Sequence, residues 1–468
     1  MPRHRDNPAP FANWLASADL EETACAPTNP NLPVLVVGAG PAGLAIMSAL
    51  AEAAISFEAV EAHSGLGGIW NETNPVSSIY EGLHTVTSRH TTHLGTKPPD
   101  DWPDYPSHRQ VLTYFEGFAR DRGLLPHIRF GTRFESAVKT AEGTWQVTFR
   151  GRDGTRGPTE RVFRAIVFAT GAHNKLCRSF PNGLRDQALA EGIEVLHSAD
   201  YSHPSRYAGK RVLVVGVGNS GSDIAEKISQ EAKRVLISVR TPPWINPPTV
   251  WGVPCDKLAF DGTSLPDWLA MPIFHWARSR AIGSYRRLGM LAPRYGLNDR
   301  LPITDRGIVQ AIRAGRVIVR SHVQEFRSGE VHFADKRQAS EGVDVVIFAT
   351  GYQRHYPLLT DTDAANGSLL FHLFHRREPG LVYMMETIGL RCCWPIFLEQ
   401  ARCVAAYFNA ENVASDRVAA FNSRRHAAVP PPKGKLFRLA DSYHLDYDAY
   451  TQLLRGLTQW LTHVSSTS

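Results

Sequence analysis

The chain has 468 residues, of which 43% are hydrophobic and 21% charged, the composition of a globular protein with two or three domains. The net charge of +6 comes from scattered basic residues, which argues against nucleic acid as a partner, and six cysteines are too few for a disulfide framework. No apolar run is long enough for a signal peptide or a membrane span, so we expect a cytoplasmic protein without a membrane anchor.

The first recognisable segment has the pattern of a dinucleotide-binding βαβ unit. Residues 33–37 form a continuous apolar run, which predicts a strand buried on both faces of a parallel sheet. A glycine-rich turn follows directly, Gly38-Ala39-Gly40-Pro41-Ala42-Gly43. Residues 44–54 are predicted to form a helix and residues 56–60 a second strand, which ends at the acidic Glu61.

Each residue type in this turn has a physical purpose. Gly38 permits the tight turn, Gly40 lets the backbone approach a pyrophosphate, and Gly43 lets the helix pack closely on the strand. Pro41 stands where a missing N–H costs least, and the remaining free N–H groups of the helix face the phosphates. Glu61 can accept both hydroxyls of a ribose, so the unit as a whole predicts a bound dinucleotide.

A second glycine-rich stretch follows this acid. Gly67 and Gly68 are adjacent and precede Trp70, which predicts a loop whose backbone closes over a flat ligand. Because the loop comes directly after the ribose-binding acid, it indicates a flavin, and we expect FAD in this first site. Val138, in a strand predicted at 133–139, is also assigned to the cofactor site.

The same pattern recurs downstream. Residues 211–215 predict another buried strand and residues 222–229 a helix, and between them lies Gly216-Val217-Gly218-Asn219-Ser220-Gly221. The next predicted strand, 235–239, contains Ser238 and ends in Arg240.

Arg240 decides the cofactor expected at this second site. An acid here would repel a ribose 2′-phosphate, whereas a guanidinium can pair with it through two hydrogen bonds. Taken alone, Arg240 could equally be a solvated arginine at a strand end, but the fingerprint before it favours the cofactor role. We therefore predict NADPH over NADH, with the second glycine turn and Ser238 as its other contacts.

Two further buried strands end in the same residue types. Residues 166–168 lead into Ala169-Thr170-Gly171, and residues 344–348 lead into Ala349-Thr350-Gly351. Small residues after a buried strand allow the chain to cross between domains or a cofactor to approach closely. We predict that the chain leaves the first domain and later returns to it at these points. The cofactor contacts expected there are Thr170, Gly171, Thr350 and Gly351.

The expected fold class is α/β, with two Rossmann-like dinucleotide-binding domains and the NADPH domain inserted into the FAD domain. The predicted order is an N-terminal extension at 1–32 with a short helix around 11–20, a first FAD segment at 33–172, the NADPH domain at 173–344, and a second FAD segment with C-terminal helices at 345–468. A surface loop is expected at 430–435, and the sequence leaves a homodimer open.

A stretch rich in aromatic residues and arginine, residues 242–294, interrupts the NADPH domain. Part of it, 267–288, is predicted to form helices with a basic face. Three roles are open for it: a helical insertion that covers core, a lid or substrate-access wall over the flavin, and a surface that contacts a membrane.

Taken together, the two glycine turns, the loop before Trp70 and the late Phe348-Ala349-Thr350-Gly351-Tyr352 resemble the flavin-containing monooxygenase family of class B flavoprotein monooxygenases. The segment His197-Ser198-Ala199-Asp200-Tyr201 is similar to the end of the family signature, in which related Baeyer–Villiger enzymes carry tryptophan in place of Tyr201. The resemblance extends from residue 33 to about residue 460.

The resemblance implies that FAD stays bound, that NADPH reduces it, and that NADP then protects a flavin C(4a)-hydroperoxide formed with dioxygen. It implies oxygenation of a small molecule, foremost at nitrogen or sulfur. Baeyer–Villiger oxygenation of a ketone and an uncoupled NADPH oxidase that releases hydrogen peroxide remain alternatives. A non-catalytic flavin sensor would not need so complete a second site, and a disulfide reductase would need a cysteine pair whose spacing is absent here.

Three positions depart from the family pattern. Gly192 precedes His197 by five residues, so the upstream part of the signature is distorted, and Met384 stands where members often have glycine. Val86 stands where many members carry an asparagine beside the flavin, and Thr85, Ser88 or bound NADP are the candidates to replace its hydrogen bond. No catalytic dyad or triad is visible. A metal site is not expected at the loop histidines, which lack cysteine or carboxylate neighbours: His84, His90 and His93.

Overall fold

The computed structural model describes residues 29–151, 157–171, 176, 178–260, 267–296, 300–353, 357–358, 369–384, 392–413, 416–425 and 447–463. The helix predicted at 11–20 and the loop predicted at 430–435 lie outside these residues. Within them, no helix combines the length and the apolar character needed to cross a bilayer.

A seven-stranded sheet forms the centre of the first domain. In spatial order its strands are β20 (Leu369–Leu370), β21 (Phe374–His375), β22 (Leu381–Tyr383), β7 (Ala165–Phe168), β1 (Val34–Val37), β2 (Phe57–Val60) and β3 (Ile128–Arg129). The strands from β22 to β3 are parallel, and all four residues of β1 are buried, as the apolar run predicted.

A five-stranded, fully parallel sheet forms the second domain. Its spatial order is β15 (Val317–Ser321), β10 (Arg234–Val239), β9 (Arg211–Val215), β19 (Val345–Phe348) and β8 (Glu194–His197). The predicted domain boundary between 344 and 345 is therefore wrong. The buried strand β19 fills the gap between β9 and β8, so the return to the first domain comes after this strand.

Smaller antiparallel sheets cover these two. One contains β4 (Thr132–Lys139), β5 (Trp145–Gly151) and β6 (Thr159–Phe163), and another contains β16 (Val323–Arg327), β17 (Glu330–Phe333) and β18 (Glu341–Gly342). Two further two-stranded pairs join β11 (Ile245–Asn246) to β14 (Ile303–Thr304) in parallel and β12 (Thr249–Val250) to β13 (Val253–Pro254) in antiparallel orientation. Alternate residues of β5 are buried against β1 and β7, which covers the face of the first sheet opposite its helices.

Helices cover the other faces. They are α1 (Pro41–Glu52), α2 (His108–Asp121), α3 (Leu184–Ala190), α4 (Asn219–Ile228), α5 (Cys255–Phe260), α6 (Asp267–Ile282), α7 (Ile308–Arg313), α8 (Trp394–Asn412), α9 (Asp416–Ser423) and α10 (Tyr447–Thr462). The long helix α8 packs between α1 and α10, so the C-terminal part of the chain completes the core of the first domain. Each buried leucine or phenylalanine in such a core stabilises the fold by about 1.5–3 kcal/mol relative to an exposed one.

Candidate functional site

Close packing requires two of the glycines in the first turn, which we call the first cradle (residues 38–43). Gly38 has a φ of +108°, and a Cβ there would lie 2.6 Å from the carbonyl oxygen of Ala169. A Cβ on Gly43 would lie 2.0 Å from the carbonyl oxygen of Gly38. These two residues hold the start of α1 against the end of β1, so the free N–H groups of the helix point out of the carboxyl edge of the sheet.

The second cradle (residues 216–221) repeats this geometry. Gly216 also has a φ of +108°, and its Cβ would lie 2.6 Å from the carbonyl oxygen of Ala349. A Cβ on Gly221 would lie 2.1 Å from the carbonyl oxygen of Gly216. Gly218 differs, because no atom of the described residues lies within 4 Å of the position that its Cβ would take. Packing therefore leaves open space at this position, where a phosphate would approach.

The two Ala-Thr-Gly segments lie beside the two cradles. Val37 is in register with Phe168, and Val215 with Phe348, so the residues after β7 and β19 pass directly alongside Gly38 and Gly216. Gly171 and Gly351 both have left-handed backbone angles, at φ +69° and +83°. The hydroxyl of Thr350 donates to the carbonyl oxygen of Ser179 at 2.5 Å, and Thr170 is exposed.

Glu61 supports the first cradle from the end of β2. Its carboxylate accepts the backbone N–H groups of Ala39 and His63, each at 2.8 Å. Burial raises the pKa of Glu61, although these backbone hydrogen bonds favour the charged form. Each carboxylate oxygen can accept a further hydrogen bond, so the acid is placed to hold a ribose hydroxyl as the sequence predicts.

The loop before Trp70 closes over the first cradle. Gly67 and Gly68 have φ values of +100° and +58°, and a Cβ on Gly68 would lie 3.1 Å from Gly40 Cα. The two backbones thus approach each other without side chains between them. The ring of Trp70 packs edge-on against that of Trp394, with centroids 5.7 Å apart, and this contact anchors the loop on α8.

A loop from Tyr80 to Ser107, which we call the bridging segment, joins the two domains. The hydroxyl of Tyr80 donates to Asp223 on α4 at 2.6 Å. Arg306, which precedes α7, donates to the carbonyl oxygen of Thr85. Burial lowers the pKa of Arg306, while the negative charge of Asp223 opposes that shift.

Thr304 connects the bridging segment directly to the second cradle. Its backbone N–H donates to the side-chain oxygen of Asn219 at 3.0 Å, and its hydroxyl donates to the carbonyl oxygen of Val86 at 3.1 Å. One residue therefore links the fourth position of the second glycine turn to the position where the family resemblance expects an asparagine beside the flavin.

The side chains of Thr85 and Val86 differ sharply in their surroundings. Val86 is 38% exposed, whereas Thr85 is 3% exposed and its hydroxyl has no hydrogen-bond partner among the described residues. An unpaired buried hydroxyl costs about 1–3 kcal/mol, which a ligand that accepts its hydrogen bond would offset. The orphaned hydroxyl thus fits a bound cofactor. Ser88, by contrast, donates its hydroxyl to Asp256 at 2.9 Å and is already engaged.

Arg240 lies at the carboxyl end of β10, on the same edge of the sheet as the second cradle. Its side chain is exposed and makes no ion pair within the part of the chain that the structure describes. Arg234 and Arg320 of the same sheet are both engaged by Glu341, at 2.6 and 2.5 Å. The charge of Arg240 therefore remains available for an anionic group such as a 2′-phosphate.

Two predicted cofactor residues have side chains that are buried among strands or exposed on an outer sheet. Ser238 is 2% exposed; its hydroxyl donates to the carbonyl oxygen of Ser321 at 3.1 Å and accepts the N–H of Val323 at 3.2 Å. It therefore ties neighbouring strands together and has no hydrogen left to donate. Val138 is 68% exposed on β4 and pairs with Gln146 of β5 in the outer sheet.

The aromatic-rich insertion contacts the bridging segment, which the sequence did not predict. Asp256 of α5 accepts the backbone N–H and the hydroxyl of Ser88, at 2.7 and 2.9 Å, and the hydroxyl of Thr91 at 2.6 Å. Tyr105 donates its hydroxyl to the carbonyl oxygen of Pro248. The first half of the insertion thus lies against the loop that carries Val86, as a wall of the cofactor cleft would.

His197 forms a hydrogen bond to Gly351, just after β19, where the chain leaves the second sheet. Its Nε2 lies 3.0 Å from the carbonyl oxygen of Gly351, and its Nδ1 accepts the N–H of Ala199. This arrangement requires a neutral ring with the proton on Nε2, and burial lowers the pKa of His197 accordingly. Tyr201 packs edge-on against Tyr80, with ring centroids 5.1 Å apart, so the signature segment also supports the bridging segment.

Comparison with known proteins agrees with this geometry. Residues 32–379 match the family described as flavin-binding monooxygenase-like. Flavin-containing monooxygenase 3 of Homo sapiens is 33% identical over 350 residues, which are 70% of this chain and 63% of that protein, so the match spans less than two thirds of the relative's length.

Solved structures of low sequence identity share the fold. S-allyl-L-cysteine S-oxygenase from Allium sativum superposes with a TM-score of 0.60 at 20% identity, over 91% of this chain and 88% of that one. Cyclohexanone monooxygenase bound to epsilon-caprolactone superposes with a TM-score of 0.62 at 18% identity, over 82% and 88% of the two chains. The chain therefore belongs to the flavin-binding monooxygenase-like family.

Proposed function

We propose that the chain oxygenates a small molecule at nitrogen or sulfur, using dioxygen and NADPH, with FAD in the first cradle and NADPH in the second. The observation that carries this proposal is the link through Thr304, which joins Asn219 of the second cradle to Val86 of the bridging segment. Electron transfer between two nucleotides requires their reactive rings to meet, and this link supports such a meeting because it ties the second cradle to the segment where the family resemblance expects a flavin contact.

The protein's own part is to bind, orient and exclude water, because bound FAD supplies dioxygen activation and NADPH the electrons. The two glycine turns present backbone N–H groups to the pyrophosphates, and Glu61 holds a ribose. The hydroxyl of Thr85 donates to the flavin in place of the absent asparagine. Arg240 pairs with the 2′-phosphate.

Oxygenation at nitrogen or sulfur is favoured over Baeyer–Villiger chemistry by two observations. Tyr201 stands where the family resemblance expects tryptophan in Baeyer–Villiger enzymes, and it packs directly on Tyr80 of the bridging segment. A human relative that is 33% identical over 352 residues carries a name that describes N-oxide formation, putative dimethylaniline monooxygenase 6.

Incubation with NADPH and ¹⁸O-labelled dioxygen, over a panel of amines, sulfides and ketones, tests the proposal. We expect NADPH consumption coupled to a product that contains one labelled oxygen for an amine or sulfide. A variant that cannot retain FAD, Gly43→Ala, is the matched control and should yield no product. Labelled esters from ketones alone would favour Baeyer–Villiger chemistry, and no labelled product with any substrate would refute the proposal.

A second candidate function is an NADPH oxidase that releases hydrogen peroxide. It is favoured by Val86, whose 38% exposed side chain offers no hydrogen-bond donor in the cleft. The backbone oxygens of Thr85 and Val86 are already engaged by Arg306 and Thr304. Peroxide that matches NADPH consumption in the presence of every substrate would identify this activity.

Restoring a donor at position 86 should reduce peroxide release. In Val86→Asn, the new amide adds one hydrogen bond worth about 1 kcal/mol, so we expect the fraction of NADPH lost as peroxide to fall roughly fivefold. Oxygen uptake with and without catalase measures this fraction. Val138→Asn, an equally polar change on the outer sheet, should leave it unaltered. An unchanged peroxide fraction in Val86→Asn would mean that this position does not face the flavin.

Alanine at Gly218 should weaken NADPH binding without harming the fold. No described atom would meet the new Cβ, but the methyl group would occupy the space that a pyrophosphate needs. We expect the KM for NADPH to rise about tenfold, the loss of one good backbone–phosphate hydrogen bond, at unchanged Tm. Gly117→Ala on α2 is the matched control, since its Cβ also meets nothing within 4 Å. Equal KM values for the two variants would place the nucleotide elsewhere.

A further inference from the structure

Asp256, on α5 of the insertion, holds the bridging segment through one carboxylate oxygen. Its Oδ2 accepts the backbone N–H of Ser88 at 2.7 Å, the hydroxyl of Ser88 at 2.9 Å and the hydroxyl of Thr91 at 2.6 Å. Its Oδ1 is buried and has no hydrogen-bond partner among the described residues. The hydrogen bonds that this carboxylate makes within the described chain therefore all go to one short stretch of the bridging segment.

The insertion supports this carboxylate on packed elements. The backbone N–H of Cys255 donates to the carbonyl oxygen of Pro248 at 3.0 Å, and the hydroxyl of Tyr105 donates to the same oxygen. A small buried cluster of Val250, Cys255 and Ala277 joins the β12–β13 hairpin to α5 and α6. A side chain supported by packed neighbours keeps its position better than one on a free loop, so α5 is suited to fix the segment that it contacts.

The stretch that Asp256 holds begins two residues after Val86. On the other side of this stretch, Arg306 and Thr304 of the second domain donate to the carbonyl oxygens of Thr85 and Val86. Residues 85–91 are thus held at one end by donors and at the other end by an acceptor. The position of the buried Thr85 hydroxyl, which we assign to the flavin, depends on both ends.

We propose that Asp256 is a positioning residue, which acts through Ser88 and Thr91 to hold residues 85–88 beside the flavin and so limits the loss of NADPH as hydrogen peroxide. In that loss, NADPH, a proton and dioxygen give NADP⁺ and hydrogen peroxide, and no oxygen reaches a substrate. The inference rests on the proposed function, since it takes FAD to lie in the first cradle. A segment released from Asp256 misplaces the Thr85 hydroxyl and admits water to the cleft.

Asp256→Ala should raise the ratio of peroxide to oxygenated product about fivefold, because three hydrogen bonds to the bridging segment are lost. The KM for NADPH should stay nearly constant, since the second cradle is untouched. Asp256→Asn keeps an acceptor oxygen without the charge, which makes each hydrogen bond weaker, so its ratio should lie between those of Asp256→Ala and the unaltered chain. Lys257→Ala, which changes the next residue of the same helix, is the matched control and should leave the ratio unchanged.

Two measurements on the FAD-loaded full chain test the positioning role without NADPH or an organic substrate. Amide hydrogen exchange in the peptide that covers residues 85–92 should quicken about tenfold in Asp256→Ala, because the N–H of Ser88 loses its acceptor. The visible circular dichroism of bound FAD should change as well, while the far-UV spectrum shows that the fold is retained. Faster exchange with unchanged dichroism would reduce Asp256 to a structural contact and overturn the proposal.

Thr91→Val tests whether Asp256 acts through its partners, because it removes one donor with little change in shape. Alone it should raise the peroxide ratio about twofold, a result that decides the matter even if Asp256→Ala does not fold. Added to Asp256→Ala it should change nothing further, whereas independent effects would multiply and contradict the positioning role. If the unaltered chain forms no labelled product, the proposed function fails, and hydrogen exchange with FAD dichroism still decides the role of Asp256.

Discussion

Gly43→Ala should produce a protein that purifies without FAD. The added Cβ would lie 2.0 Å from the carbonyl oxygen of Gly38, far inside van der Waals contact, so α1 must move away from β1. Its N–H groups then lose their alignment with the pyrophosphate. We expect the affinity for FAD to fall by at least about 100-fold, the loss of two backbone–phosphate hydrogen bonds. Absorbance of the purified protein and FAD titration of the apoprotein measure the effect.

The second cradle supplies the control for this prediction. Gly221→Ala introduces an equivalent clash, 2.1 Å from the carbonyl oxygen of Gly216, but in the other domain. It should remain yellow, lose NADPH-driven reduction and still be reduced by dithionite. Circular dichroism separates loss of cofactor from loss of fold. A fully yellow Gly43→Ala protein would show that FAD does not depend on the first cradle.

Arg240→Ala should remove the preference for NADPH. The guanidinium is exposed and free of ion pairs among the described residues, so its removal costs no internal contact there. A charge-assisted hydrogen bond to the 2′-phosphate is worth about 1.5–3 kcal/mol, so kcat/KM for NADPH should fall about 10- to 100-fold. The value for NADH, which lacks this phosphate, should change little.

Arg316→Ala is the matched control for Arg240. Arg316 is also exposed but precedes β15, at the amino edge of the same sheet, whereas Arg240 follows β10 at the carboxyl edge. Its removal changes the net charge equally and should leave both nucleotides unaffected. If kcat/KM for NADPH fell equally in the two variants, Arg240 would act only through long-range attraction of the anionic nucleotide, which added salt would screen.

Both cradles could be predicted from the sequence because their determinants are local. Strand, turn, helix and second strand follow one another within about 30 residues in such a unit, and close packing allows only glycine at four of the six glycine positions of the two cradles. The paired Ala-Thr-Gly segments could likewise be recognised as domain crossings. The sequence could not show which sheet each preceding strand joins. Strands β7 and β19 are equally apolar, and only their pairing with distant strands distinguishes them.

The residues that connect the two sites left no sequence signal. Arg306 and Thr304 contact a loop more than 200 positions earlier, and Asp256 contacts one 168 positions earlier. No periodicity or spacing reports such contacts. The hydrogen bonds of the Ser238 hydroxyl left no sequence signal either, because its partners lie on β15 and β16. The sequence also did not show that the apolar side chain of Val138 faces solvent.

The position of Thr304 reduces the freedom of the two-domain molecule. Any hinge rotation that draws the second cradle away from the bridging segment must break one of the two hydrogen bonds of Thr304 or pull the Val86 carbonyl along. If the second cradle holds the nucleotide as proposed, a shift of Asn219 on nucleotide release would be passed through Thr304 to the backbone at Val86.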